Sequence, residues 1–417
     1  MKRLTAAVTA CAMLLCSGCT SAQVVQSRKV RKEITLSWWG NDARNEYTLA
    51  AVQEFEALYP EIKVNCSYSE WSGYEARSRV RMISDTEADV MQVNFSWLSE
   101  YSPDGTGYYD LEQLDPDKLD LTVFTDNALS YGRMNGTLNA VPIAMNAQTV
   151  YINKTVYDSY GLALPETWDE LFAAAKVMQK DGVYPISCGS KSMWLYLIAY
   201  AEQSSGRRFL DENGKLGFTK DDFQCMIEMY VRLIGENVTP QVEYYERLNL
   251  GDGTYAGTVA WVSDAVNYMG DAIANGYEII PVNYTALTPE RSGEGWYAKP
   301  ATMYAVSKNT EHPEESALLL DFLLNSEEMA MLQGVEKGIP LSSAAREVLE
   351  GENMLQGVQY DASQKMESYE DLGEMQPLLE NSALIDLFVE DCNKALYEKA
   401  DAAAAAAEVY HAYREAG

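Results

Sequence analysis

The sequence predicts an α/β fold built as two lobes. Three observations carry that expectation. Up to Val93, short strands of period two alternate with helices of period 3.6. A second strand-and-helix series opens near Thr149. Once a leader of 32 residues is set aside, about 385 of the 417 residues remain, more than one ordinary core holds.

The leader comes first. Lys2 and Arg3 precede the apolar run Leu4 to Leu15, and Cys16-Ser17-Gly18-Cys19 follows. A charged start, about a dozen apolar residues and a small-residue cleavage site form a secretory signal. Residues 1–18 are therefore expected to be removed. Cys19 would receive lipid, and 19–32 would be a polar tether. No later apolar run reaches the length of a membrane span, so the folded part is expected to sit outside the cell membrane, held by the anchor.

The elements then follow in order. Ile34, Leu36 and Trp38 alternate with Thr35 and Ser37 as a strand. Leu49, Val52, Phe55 and Leu58 share one face of a helix over Asn45 to Tyr59, which Pro60 stops. Ile62 to Tyr68 alternates again, a helix is expected over Tyr74 to Asp85, and Asp89 to Val93 reads as a buried strand. In such sheets, ligands sit at the carboxyl ends of strands. Those ends are Trp39 to Asp42 and Asn94 to Trp97.

The second unit begins with the strand Thr149 to Ile152. Thr167 and Glu170 form a capping box ahead of the next helix. Helices are expected at Lys191 to Gln203 and Asp221 to Gly235, with a turn at Asp211 to Gly214. Strands are expected at Gly257 to Ser263, Tyr277 to Val282 and Thr302 to Ser307. Helices then cover Glu314 to Leu324, about Leu379 to Lys399, and Ala402 to Ala407. There is no internal repeat and no long linker, which suits a short hinge between lobes.

Composition excludes several function classes. Residues 1–32 hold six of the 32 basic side chains, so residues 33–417 keep 26 against all 62 acids, a net charge of −36. Such a surface is expected to repel nucleic acid and anionic polymers and weakly favours a neutral or cationic ligand, the alternative being that acidity only keeps an extracytoplasmic protein soluble. With only His312 and His411, neither an imidazole zinc site nor a Ser-His-Asp triad is expected. No GxxxxGK[ST] loop occurs, and no cofactor is expected. Cys66, Cys188, Cys225 and Cys392 lie far apart, with nothing that demands a disulfide.

Several ordered motifs carry a family resemblance. They are Trp38-Trp39-Gly40-Asn41-Asp42-Ala43-Arg44, Ala88 to Asn94 with Trp97, Tyr101 to Gly105, Val141 to Asn146, Tyr151 to Lys154, Pro165 to Leu171, Gly257 to Trp261, Ala305 to Lys308, Glu314 to Leu324 and Gly338-Ile339-Pro340. In that order they resemble the extracellular sugar-binding lipoproteins of bacterial ABC importers, of the maltose-binding, family 1 type. The resemblance implies a two-lobed, type II periplasmic-binding-protein-like fold. Its mixed sheets would be flanked by helices, with hinge strands crossing between the lobes. One lobe would be 33–146 plus 305–338 and the other 147–304 plus 339–417, with hinges near Asn146-Ala147, Tyr304-Ala305 and Gly338 to Leu341. It further implies a monomer that binds sugar, in particular an oligosaccharide, and docks on permease subunits whose ATPase is a separate chain.

A sugar needs flat rings for its C–H patches and charged or amide groups for its hydroxyls. The chain has 8 Trp and 28 Tyr. Asp42 and Arg44 resemble the family's hydroxyl-binding pair, the alternative being a surface ion pair. One of Trp38 and Trp39 must face the core, which leaves Trp39 open. Trp71, Asn94 and Trp97 follow strands of the first lobe, with lobe packing as the other reading of Trp97. Asn146 falls at a hinge. Trp194, Trp261 with Asp264, and Trp296 in its glycine-rich loop are the candidates across the cleft, whereas Trp168 is expected to pack. Two rival classes stand beside this reading. One is a secreted glycoside hydrolase using two carboxylates such as Asp42 and Asp264. The other is an amino-acid, peptide or polyamine receptor of the same architecture.

Overall fold

The computed structural model describes residues 31–211, 214–242, 250–369 and 372–416. The leader with Cys19, and Glu212 and Asn213 of the expected turn, lie outside the described residues. From the flanks of that turn, Asp211 Oδ1 accepts the Lys215 amide at 2.9 Å.

Strand β1 (Lys32–Trp39) runs parallel to β2 (Ile62–Ser69) and to β3 (Val90–Val93). Between them run α1 (Asp42–Leu58) and α2 (Trp71–Ile83), and α3 (Phe95–Tyr101) follows β3. Helix α1 starts three residues earlier than its apolar stripe suggests, because the Asn41 side chain caps the Arg44 amide at 2.9 Å. Asp42 and Arg44 therefore occupy its first turn rather than a loop. Helix α2 also opens three residues earlier than expected, at Trp71, here without a side-chain cap.

After α4 (Asp126–Ser130) and the hairpin β4 (Arg133–Met134) and β5 (Thr137–Leu138) comes β6 (Ala140–Asn153). Sequence periodicity finds only its second half, from Thr149. Pro142 disguises the first half, since proline cannot donate to a ladder. It is tolerated because the pairing of β6 shifts register between Pro142 and Met145.

The chain continues through α5 (Lys154–Ser159), α6 (Trp168–Met178), α7 (Ser190–Ser205) and α8 (Lys220–Gly235). The expected capping box is present on α6, where Glu170 Oε2 accepts the Thr167 amide at 2.9 Å. Strand β7 (Gly257–Trp261) ends two residues earlier than expected, and α9 (Ala265–Ala274) and β8 (Ile279–Val282) follow. Strand β9 (Tyr297–Val306) begins five residues before the expected Thr302. The rest is helical apart from β10 (Gly373–Glu374). These helices are α10 (Pro313–Asn325), α11 (Glu327–Gln333), α12 (Ser343–Gly351), α13 (Val358–Glu367), α14 (Ser382–Leu396) and α15 (Ala402–Ala416). The expected helix from Leu379 divides at Asn381, which ends a 3-10 turn and caps α14.

The sheet order is β2-β1-β3-β9-β6-β7, with β8 also on β6 and β10 on β9. Two long antiparallel strands, β6 and β9, thus belong to both ends of the molecule. Val90 and Val93 of β3 pair with Val306 and Met303, the far end of β9. Gln148 to Ile152 of β6 pair with β7. Separate cores flank the two ends. One gathers Ile34, Leu36, Trp38, Phe55, Val90, Tyr304 and Leu320. The other gathers Trp168, Trp194, Tyr196, Phe209, Phe223, Phe388 and Tyr413. This is a mixed α/β, two-lobed architecture. No helix among the described residues is long and apolar enough to cross a membrane.

Candidate ligand-binding cleft

Strand direction marks the candidate site. The carboxyl ends of β1 and β3 point toward the middle of β6 and β9, and so does the carboxyl end of β7 from the opposite side, where Trp261 pairs with Gln148. Asn146 and Lys299 are opposite one another at that midpoint. Because side chains two apart on a strand share a face, Asn146, Gln148, Lys299 and Trp261 all stand on one side.

The first wall is aromatic. Alternation turns Trp38 into the core, where its indole nitrogen donates to Asn45 Oδ1 at 3.0 Å and its ring stacks on Tyr68. Trp39 therefore turns outward. It meets Trp71 edge-on at 5.0 Å and Trp97 at 6.3 Å, while Trp71 and Trp97 stack at 5.8 Å. Trp71 is 37% exposed and offers the open ring; Trp97 is 4% exposed and supports it from behind. Tyr74 backs Trp97 at 6.0 Å and is itself fixed by donating to the Gln92 carbonyl at 2.7 Å. Asn94 caps α3, its Oδ1 accepting from the Ser96 amide and hydroxyl at 3.0 Å each.

Asp42 and Arg44 do not pair. Arg44 Nε donates to both Glu336 oxygens at 2.9 and 2.7 Å, which ties α1 to the segment before Gly338. Asp42 is exposed at the start of α1. Beside this ion pair lies Lys337, 2% exposed, donating to Tyr304 Oη at 3.0 Å under the rings of Tyr47 and Tyr304. Burial, and then the Arg44 charge, lower its amine to about 7.

On the second wall, Asn146 Nδ2 donates to Ser263 Oγ at 2.8 Å and its Oδ1 accepts the Ser263 amide at 3.1 Å, fixing the turn that carries Trp261 to Asp264. Trp261 and Asp264 are half-buried. Over the Trp261 ring stand Lys191 Nζ at 5.4 Å and Lys299 Nζ at 5.2 Å. Both ammonium groups share the Glu380 carboxylate, with Lys299 at 2.7 Å from each oxygen. Burial lowers the Lys299 amine. Burial alone would raise the Glu380 carboxyl, but Lys299 and Lys191 hold it below the usual range. Sequence reasoning missed all three residues, since only the folded chain brings 191, 299 and 380 together.

Two expected ligand residues are core instead. Trp194 is fully buried, stacked on Tyr413 at 4.9 Å with Phe388 edge-on at 4.9 Å, and its nitrogen donates to the Leu379 carbonyl at 3.1 Å. Its helix α7 is apolar on nearly every side, which leaves no wet face. Trp296 is 1% exposed, stacks on Tyr284 at 5.7 Å and donates to the Gln148 carbonyl. The glycines before it are the cause. Gly295 adopts φ +74, and a Cβ there would lie 2.3 Å from Ala199 Cα, so the loop presses onto α7 and drops the indole inward. Trp168 packs as expected, with its nitrogen on Gln203 at 3.1 Å.

Comparison with known proteins defines the class. A family model described as bacterial extracellular solute-binding protein matches residues 40–330. The chain belongs to this family, the family 1 solute-binding proteins of ABC importers. A binding protein of Brucella abortus (strain 2308) is 25% identical over 301 residues, covering 69% of this chain and 71% of its own. A periplasmic oligogalacturonide-binding protein of Yersinia enterocolitica, solved with saturated digalacturonic acid, is 29% identical with a TM-score of 0.77, covering 92% of this chain and 98% of that one. A de novo designed cysteine esterase is 29% identical with a TM-score of 0.84, covering 93% and 98%. The family is one of binding proteins, and that esterase is a design on such a scaffold. In the present chain the four described thiols are free and none is activated: burial pushes Cys66 up to about 11 and raises Cys188, Cys225 and Cys392 as well.

Proposed function

We propose that this protein captures a saccharide, in particular an oligosaccharide, between its lobes and delivers it unaltered to the permease subunits of an ABC importer. The observation that carries this reading is the convergence of strand ends on the Trp39–Trp71–Trp97 wall at one side and Trp261 at the other. The lobes would be 33–146 with 305–338 and 147–304 with 339–417. Cys19 would carry lipid and hold the monomer at the outer face of the cell membrane. Trp71 and Trp261 serve as ring platforms, and Asn94 and Asp42 serve hydroxyls. Trp39, Trp97, Arg44 and Asn146 hold those groups in place, and Asp264 lines the second wall. The sugar-binding name of the Yersinia relative supports the ligand class.

Capture works by closure. A ligand touching both walls favours the closed form by its difference in affinity for the two states. Calorimetry and thermal shift against a saccharide panel test the reading. A hit should raise the melting temperature and be recovered intact by chromatography. Trp261→Ala should weaken binding about 30-fold, the loss of one central aromatic anchor. Cleaved product would favour a glycoside hydrolase. Binding of amino acids or polyamines but no sugar would favour the third class.

A further inference from the structure

We propose that the cleft is built for an acidic saccharide, with Lys191 and Lys299 reading its carboxylate beside the Trp261 platform. The inference rests on the saccharide reading and names the class of sugar.

Charge is the first argument. Two ammonium groups share one carboxylate, Glu380, and no other described residue forms an ion pair with either. One positive charge is therefore left over in a partly enclosed place, on a chain whose residues 33–417 carry an excess of 36 acids. The Lys299 side chain is only 19% exposed, so its charge is largely cut off from water. Lys299 holds both Glu380 oxygens, so the surplus falls mainly on Lys191, whose side chain is 37% exposed, and an anionic ligand at the rim answers that charge.

Position is the second argument. Lys191 is the second residue of α7, where a cation opposes the helix dipole. Helix stability alone gives no reason for a lysine there. Lys299 sits on a crossing strand directly opposite Asn146, the midpoint of the cleft.

Geometry is the third. Glu380 already lies between these two nitrogens, so a ligand carboxylate would take the N–H donors it leaves free, beside the Trp261 ring over which both nitrogens stand. A uronate presents its carboxylate at the ring edge. Its C–H side can lie near the indole while the acid reaches the ammonium groups at the rim. A neutral hexose puts a hydroxymethyl group there and leaves the charge unanswered, which is how a site rejects a near isostere.

The test is calorimetry on the full chain with trigalacturonate, a glucuronate oligomer and a mannuronate oligomer, each beside its methyl ester, which keeps the ring and removes the charge. At least one acid should bind ten-fold or more tighter than its ester, with the gap narrowing as salt is added. In Lys191→Met and Lys299→Met that ratio should fall toward one, with circular dichroism and melting curves checking the fold. The acid-to-ester ratio in the unaltered protein needs no variant. Equal or tighter binding of every ester, or binding only of neutral oligosaccharides, would overturn this inference and leave the saccharide reading standing. If no saccharide of either kind binds, both fall.

Discussion

At the scale of single residues, Lys337 is the most exposed to test, because its environment works against its charge. Its amine titrates near 10.5 in the unfolded chain and near 7 in the fold. Between these values the unfolded chain binds more protons, so stability rises with pH across that window, and the penalty is fully present below pH 7. Lys337→Met should therefore stabilise the protein at pH 6 by on the order of 3 kcal/mol, since each pKa unit corresponds to about 1.4 kcal/mol and relaxation reduces the total. The gain should shrink by pH 9.5. Urea melts at both values check this; a gain independent of pH would contradict it. At this scale the sequence was readable where one local rule decides. Alternation settles which of Trp38 and Trp39 is core once the strand is known. Arg44 was not readable, since its partner Glu336 is 292 residues away.

Elements were legible where pattern and punctuation agree. The strands at Ile34 and Ile62 and the capping box at Thr167 follow from a few neighbouring residues. They failed where a residue carries two meanings. Pro142 reads as a breaker yet sits inside β6 at a register shift. Gly293 and Gly295 read as an exposed loop, yet the missing side chain of Gly295 lets the loop close on α7 and bury Trp296, while that of Gly293 makes room for the Tyr369 ring. Gly295→Ala tests that account. The strained φ and the contact with Ala199 should lower stability by about 3 kcal/mol and red-shift tryptophan emission as the indole loses its seat. A variant as stable as the parent would show that the close approach is dispensable.

At the scale of the molecule, the order of motifs gave the architecture, whereas the chemistry of the cleft came from long-range contacts. Lys191 and Lys299 reach one indole from two distant segments and Glu380 bridges them from a third, and no window of sequence holds all three. The proposed anchor belongs to this scale too. Cys19→Ser should move the protein from the membrane fraction to the medium or soluble extracytoplasmic fraction, with sugar affinity in solution unchanged. Retention at the membrane would rule out lipid on that residue.

The account is tested most directly by crystals grown with a saturating oligosaccharide that calorimetry has shown to bind. It predicts an unbroken sugar lying between the Trp71 and Trp261 rings, enclosed by both lobes. Density for the sugar on an outer surface, or between rings that have not moved from their positions in sugar-free crystals, would contradict it.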